Sequence, residues 1–173
     1  MAQQEQLSRY DQRMYALMNR TEGAPLYRTA ARRRAVVGAH VVLTVASVGA
    51  WLATVAGRQD WATWVMLALL VPWCVATGTI NGATRGLLEL RTRALDERQR
   101  AERDRVKALA HRIMNWLLFA TVVGAGAAQL SGVDVRATVF QLAVGVLVAH
   151  WLMPMWVAGL SARDEPEGFD VDE

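Results

Sequence analysis

The sequence predicts an all-α polytopic membrane protein, a four-helix bundle whose second and third spans continue into a cytoplasmic helical hairpin. Three observations carry that prediction. The 19 basic and 16 acidic residues of the 173-residue chain all fall outside four long apolar stretches. Each stretch is near or above the roughly 20 residues that a helix rising ~1.5 Å per residue needs to cross a hydrocarbon core of about 30 Å. The basic residues crowd the flanks of these stretches on one side only. A chain that is 53% apolar is not disordered, and a single cysteine excludes a disulfide-stapled scaffold.

The apolar stretches are 35–57, 61–84, 113–133 and 137–162. Buried helices of a soluble bundle would carry a polar stripe, and these do not. A secretory signal needs a short basic start and an apolar region of only about 7–15 residues. Here 34 mostly polar residues come first, so the first stretch is expected to stay as a span.

Orientation follows from arginine and lysine in the short flanks. Residues 1–34 hold seven, 85–112 hold nine, and Arg163 adds one, against only Arg58 and Arg136 in the two turns. Both termini and 85–112 are therefore expected in the cytoplasm, held at an anionic inner leaflet where each basic residue contributes about 1 kcal/mol. Trp51, Trp61 and Trp64 fit an outer aromatic belt, and Trp116 and Trp156 an inner one. Trp73 and Trp151 lie deeper and read as helix-packing residues. One lysine against eighteen arginines, with abundant alanine and valine, points to a high-GC bacterial coding sequence and hence to a bacterial cytoplasmic membrane. Residues 85–112 contain no aromatic side chain to interleave with their basic ones, so no nucleic-acid partner is expected.

Residues 85–112 lack proline and, after Gly86, glycine; nearly all are good helix formers. A reversal must still occur, because spans two and three have to return through the membrane. Asp96, Glu97, Arg98 and Gln99 mark it: Asp96 can cap a new helix, Gln99 can reach back, and Glu97 suits a first turn. Span two is then expected to continue as helix to about residue 94. Leu87, Leu88, Leu90 and Leu95 on that arm would meet Ala101, Val106 and Leu109 on the other. Within the N-terminal segment 1–34, residues 5–20 read as an amphipathic helix with Leu7, Tyr10, Met14, Leu17 and Met18 on one face, lying on the membrane or covering the base of the bundle. Residues 163–173 carry six acids against one arginine and read as a disordered tail.

The triplet Asp96-Glu97-Arg98 between spans two and three, with Ala108, Ala110 and His111 in the approach to the membrane, resembles a pattern of uncharacterised small bacterial four-span integral membrane proteins. The resemblance covers the architecture and one triplet. It implies a membrane protein and adds no chemistry.

Gly78, Gly82 and Gly86 form an every-fourth glycine stripe, and Gly145 with Ala149 a shorter one; such stripes admit close helix packing, inside the bundle or in a homodimer. His40, His111 and His150 are candidate ligands by residue type, but their depths match poorly and no carboxylate accompanies them in the spans. Neutral, hydrogen-bonded histidines and no metal or cofactor are the expectation. Pro72 and Pro154, with Thr77, Thr79, Asn81 and Asn115, could line a polar crevice. Cys74 reads as an inert thiol. No HExxH, CxxC, GxSxG or phosphate-loop pattern occurs, so the chain is not expected to be an enzyme. The expected role is an accessory, scaffold or regulatory subunit that docks a cytoplasmic or membrane partner through its cytoplasmic helices. A small oligomeric transporter or channel is the alternative.

Overall fold

A computed structural model describes residues 8–18, 23–135 and 138–162, and every regular element among them is helical. The helices are α1 (Arg9–Met18), α2 (Ala24–Tyr27), α3 (Ala30–Val55), α4 (Trp61–Ala83), α5 (Glu97–Leu130) and α6 (Val139–Ser161). α3, α4, α5 and α6 are each long and apolar enough to cross a membrane, as the four stretches anticipated. Pro72 and Pro154 sit inside α4 and α6 without ending them. The segment 163–173 and the flanks of α1 lie outside the described residues.

The four long helices do not share one core. α3 and α4 form a close antiparallel pair, and α6 lies against both. Val37, Ile80 and Met155 make the buried centre of this three-helix unit. Gly159 lets it close. A Cβ there would stand 2.8 Å from a Val37 methyl carbon and 3.1 Å from one of Ile80, so only hydrogen fits. α5 packs on α6 and has at most marginal contact with the other two. Its buried residues are Val106, Ala110 and Met114, none of them beyond its midpoint by more than one position. The even four-helix bundle read from the sequence is in this respect a three-helix unit flanked by a fourth helix.

The hairpin expectation needs a larger correction. α4 stops at Ala83 rather than near residue 94. Gly86 N–H reaches the Asn81 carbonyl at 2.9 Å and Arg85 N–H the Gly82 carbonyl at 3.0 Å, the paired bonds of a Schellman ending. Arg85 and Gly86 both take positive φ, +51° and +67°. A glycine closing an apolar run is itself a stop signal. Here it outweighs the helix propensity of the residues that follow, because the ending satisfies carbonyls that would otherwise lack donors. Residues 84–96 therefore form an irregular strap with one 3₁₀ turn, Thr92–Ala94. α5 starts at the capping pattern: Gln99 N–H donates to Asp96 Oδ1 at 2.7 Å and Asp96 N–H to Gln99 Oε1 at 3.1 Å.

The strap keeps the burial expected of the helical arm without its conformation. Leu90 and Leu95 are buried, and Leu87 joins Val106, Ala110, Val157 and Ala158 in a cluster where strap, α5 and α6 meet. Its carbonyls are satisfied by α5: Arg100 Nε donates to Thr92 and Leu95 oxygens, both at 3.0 Å, and Arg103 to Leu90 O at 3.2 Å and Thr92 Oγ1 at 2.8 Å.

Candidate functional site

Two polar assemblies stand out, one within the spans and one at the basic end of the molecule. The first is centred on His40, which is completely buried in α3. An indole N–H can only donate, so the 2.9 Å contact between Trp156 Nε1 and His40 Nδ1 makes Nδ1 the acceptor. Nε2 therefore carries the imidazole proton and donates to Thr77 Oγ1, also at 2.9 Å. Thr77 in turn donates to the Trp73 carbonyl at 2.9 Å. Trp73 Nε1 donates to Thr44 Oγ1 at 2.9 Å, and Thr44 returns to the His40 carbonyl at 2.8 Å. Four of these bonds close a circuit between α3 and α4, and the fifth ties α6 to it through Trp156.

Every donor in that circuit has an acceptor, and the imidazole is neutral because the Nδ1 lone pair accepts a hydrogen bond and only Nε2 carries a proton. The His40 ring also lies 4.8 Å, centroid to centroid, from that of Trp73. A metal could take either His40 nitrogen only by displacing Trp156 or Thr77. Among the described residues no three His, Cys, Asp or Glu side chains come together as a ligand set.

The other candidate residues are not drawn into this assembly. His150 and His111 are exposed, on α6 and α5. Asn115 is exposed, Thr79 back-bonds to Val75, and Asn81 Oδ1 is buried without a partner among the described residues, so these side chains are not drawn together. Gly78 and Gly145 face open space; Gly82 receives the Tyr27 ring and Gly86 the Met18 side chain. Among the described residues these glycines pack against no other helix backbone, and Ala149 is half-buried. Trp151 is exposed rather than a packing residue. Trp156 turns its indole N–H inward to His40 instead of anchoring only at an interface. Sequence reading missed Trp73 and Trp156 as histidine partners because nothing in their spacing shows which helix they face.

The second assembly lies where the ends of α2, α4, α6 and the start of α5 meet. Arg33, nearly buried, donates to Ala162 O at 2.7 Å and Tyr27 O at 3.2 Å. It thus caps the C-terminus of α6, where the helix dipole favours a cation. α1 is seated on the strap by an unexpected residue. Asp11, 2% exposed, accepts from Ser8 Oγ at 2.7 Å and faces Arg91 Nε at 3.8 Å, while Arg91 stacks on the Tyr10 ring. Tyr10 and Leu17, read as part of an apolar face, are more than half exposed. Glu89 is exposed by area, yet partial burial of its carboxyl pushes its pKa up, and the Glu89 and Leu88 amides oppose the shift.

Between the first half of α5 and the end of α6 runs an open groove of about 460 Å³, lined by Arg98, Ala101, Glu102, Arg105, Val106, Leu109 and Ser161. Asp96, Glu97 and Gln99 belong to the cap above it, and Arg98 opens onto it.

Fold and sites together define a helical protein with four potential membrane spans, a hydrogen-bonded polar network linking three of them and a folded basic end. No protein-family model matches the chain, and no curated protein or solved structure shows significant similarity to it.

Proposed function

We propose that this chain is a non-enzymatic multi-pass protein of a bacterial cytoplasmic membrane, an accessory or scaffold subunit that presents its basic end to a cytoplasmic or membrane partner. The observation that carries the reading is the strap. A mere connector between spans would be solvated, whereas this one is tied by Arg100 and Arg103 and overlaid by α1 through Asp11 and Arg91. Ordering a surface costs conformational entropy, and a built surface lowers the cost of binding a partner.

The arginine distribution supports placing this end in the cytoplasm with both termini, against anionic lipid. The resemblance through Asp96-Glu97-Arg98 is consistent with such a protein. The transporter alternative has less behind it, because His40, Thr77, Trp73, Thr44 and Trp156 are engaged with one another inside the spans. A homodimer remains compatible with the reading through Gly78 and Gly145, which face open space.

The test is purification from native membranes in mild detergent, beside Arg103→Ala, which unties the strap. A stoichiometric partner is expected with the parent chain and its loss with the variant. Recovery of the parent chain alone would reject the proposal.

A further inference from the structure

We infer that the groove between α5 and the end of α6 is the docking site of the chain's own acidic segment, residues 163–173. Arg98 and Arg105 stand two helical turns apart on the groove's rim, about 10 Å by helical rise. Both are exposed, and neither makes a hydrogen bond or ion pair among the described residues. Their neighbours differ: Arg100 and Arg103 face the strap and are used there. Glu102, the one acid in the groove, pairs with neither Arg98 nor Arg105 among the described residues. Ala101, Val106 and Leu109 supply an apolar floor.

The occupant follows from chain geometry and charge. Ser161 lines the groove, so the segment departs from its edge. Residues 163–173 bring Asp164, Glu165, Glu167, Asp170, Asp172 and Glu173 against the single base Arg163, with Phe169 and Val171 as apolar groups for the floor. Eleven extended residues reach up to about 36 Å. The distance from Leu109 back to Arg98 is about 16 Å along α5, so the segment can cover the groove with slack. A tethered acidic strand also has a high effective concentration at this rim, which a free anion lacks. The inference does not depend on the partner proposal, because it is tested on the isolated chain.

The test is disulfide crosslinking of the full chain carrying Cys74→Ala. Ala101→Cys with Gly168→Cys should crosslink within one chain about tenfold faster than Lys107→Cys with Gly168→Cys, where residue 107 faces away from the groove. The advantage should disappear at about 1 M salt, where the Debye length falls to ~3 Å. It should also disappear when Asp164, Glu165, Glu167 and Asp170 become amides, a change that leaves the helices untouched, and in Arg98→Gln with Arg105→Gln. Equal rates for the two pairs would overturn the inference, as would an advantage that survives salt and charge removal. Crosslinks between two chains would assign the groove to a second copy. Loss of the crosslink in vesicles containing anionic lipid, with retention in zwitterionic ones, would assign it to lipid headgroups. Either result would also overturn it.

Discussion

α5 and α6 are equally suited to cross a membrane by length and composition, yet the structure uses them differently. α6 lies against α3, α4 and α5, contributes Trp156 to the histidine circuit, and yields its Gly159 as the point of closest approach. Among the helices α5 rests chiefly on α6, with the strap against its first half, and beyond Met114 none of its residues is buried. Its second half is apolar and exposed, as suits a helix able to cross a membrane, and its packed half is the polar one. Hydrophobicity inserts a helix; it does not choose its neighbours, because lipid is as apolar as leucine. What separates α6 from α5 is small residues at close approaches and polar groups with complementary partners.

The comparison can be broken most severely at Gly159. Gly159→Leu forces Val37 and Ile80 apart and should cost about 1–3 kcal/mol or more, read as a lowered thermal midpoint in detergent. An unchanged midpoint would mean that the α3–α4–α6 contact is looser than drawn. His40→Ala strands the Trp156 N–H and removes the donor to Thr77, and should cost about 1–3 kcal/mol. Combining it with Trp156→Phe should give a smaller loss than the two single changes summed, with coupling near 1 kcal/mol. Strict additivity would deny the bond.

On α5, Asp96→Ala removes the reciprocal cap and should cost about 1 kcal/mol, with faster hydrogen exchange confined to the first turn. Phe119→Ala, on the exposed apolar stretch of the same helix, should change stability by no more than about 0.5 kcal/mol. A loss comparable to that at Gly159 would show that α5 has a packing partner in the membrane. The smallest effect is expected at Glu89. Its pKa is raised on folding, so its contribution to stability is greatest below the unfolded carboxylate range and falls as pH rises through the folded value. Glu89→Gln should remove that slope from a pH series of unfolding midpoints.

Much of the architecture was legible in the residues for identifiable reasons. Four uncharged runs specify four long helices, because each backbone polar group must be satisfied within its own segment in a membrane. Asp96 and Gln99 specify a helix start, because a capping box is made entirely of local bonds. Arg33, by contrast, looked like one more basic flank residue and is a buried cap on α6. Gly86 looked like the third member of a packing stripe and is the left-handed step after α4 ends, with Met18 over it.

The sequence by itself determined which segments are helical and apolar, where the charges gather, and where the chain turns back into α5. Only the tertiary structure decided that His40 meets Trp156 and Thr77, that Asp11 is buried against the strap, and that α5 flanks a three-helix unit instead of completing a fourth side. The physical reason is range. Helix formation, capping and partition into lipid depend on neighbours a few residues away. The partners of a buried polar group lie on other helices, as far as 116 positions along the chain from His40 to Trp156, and no local pattern encodes that distance.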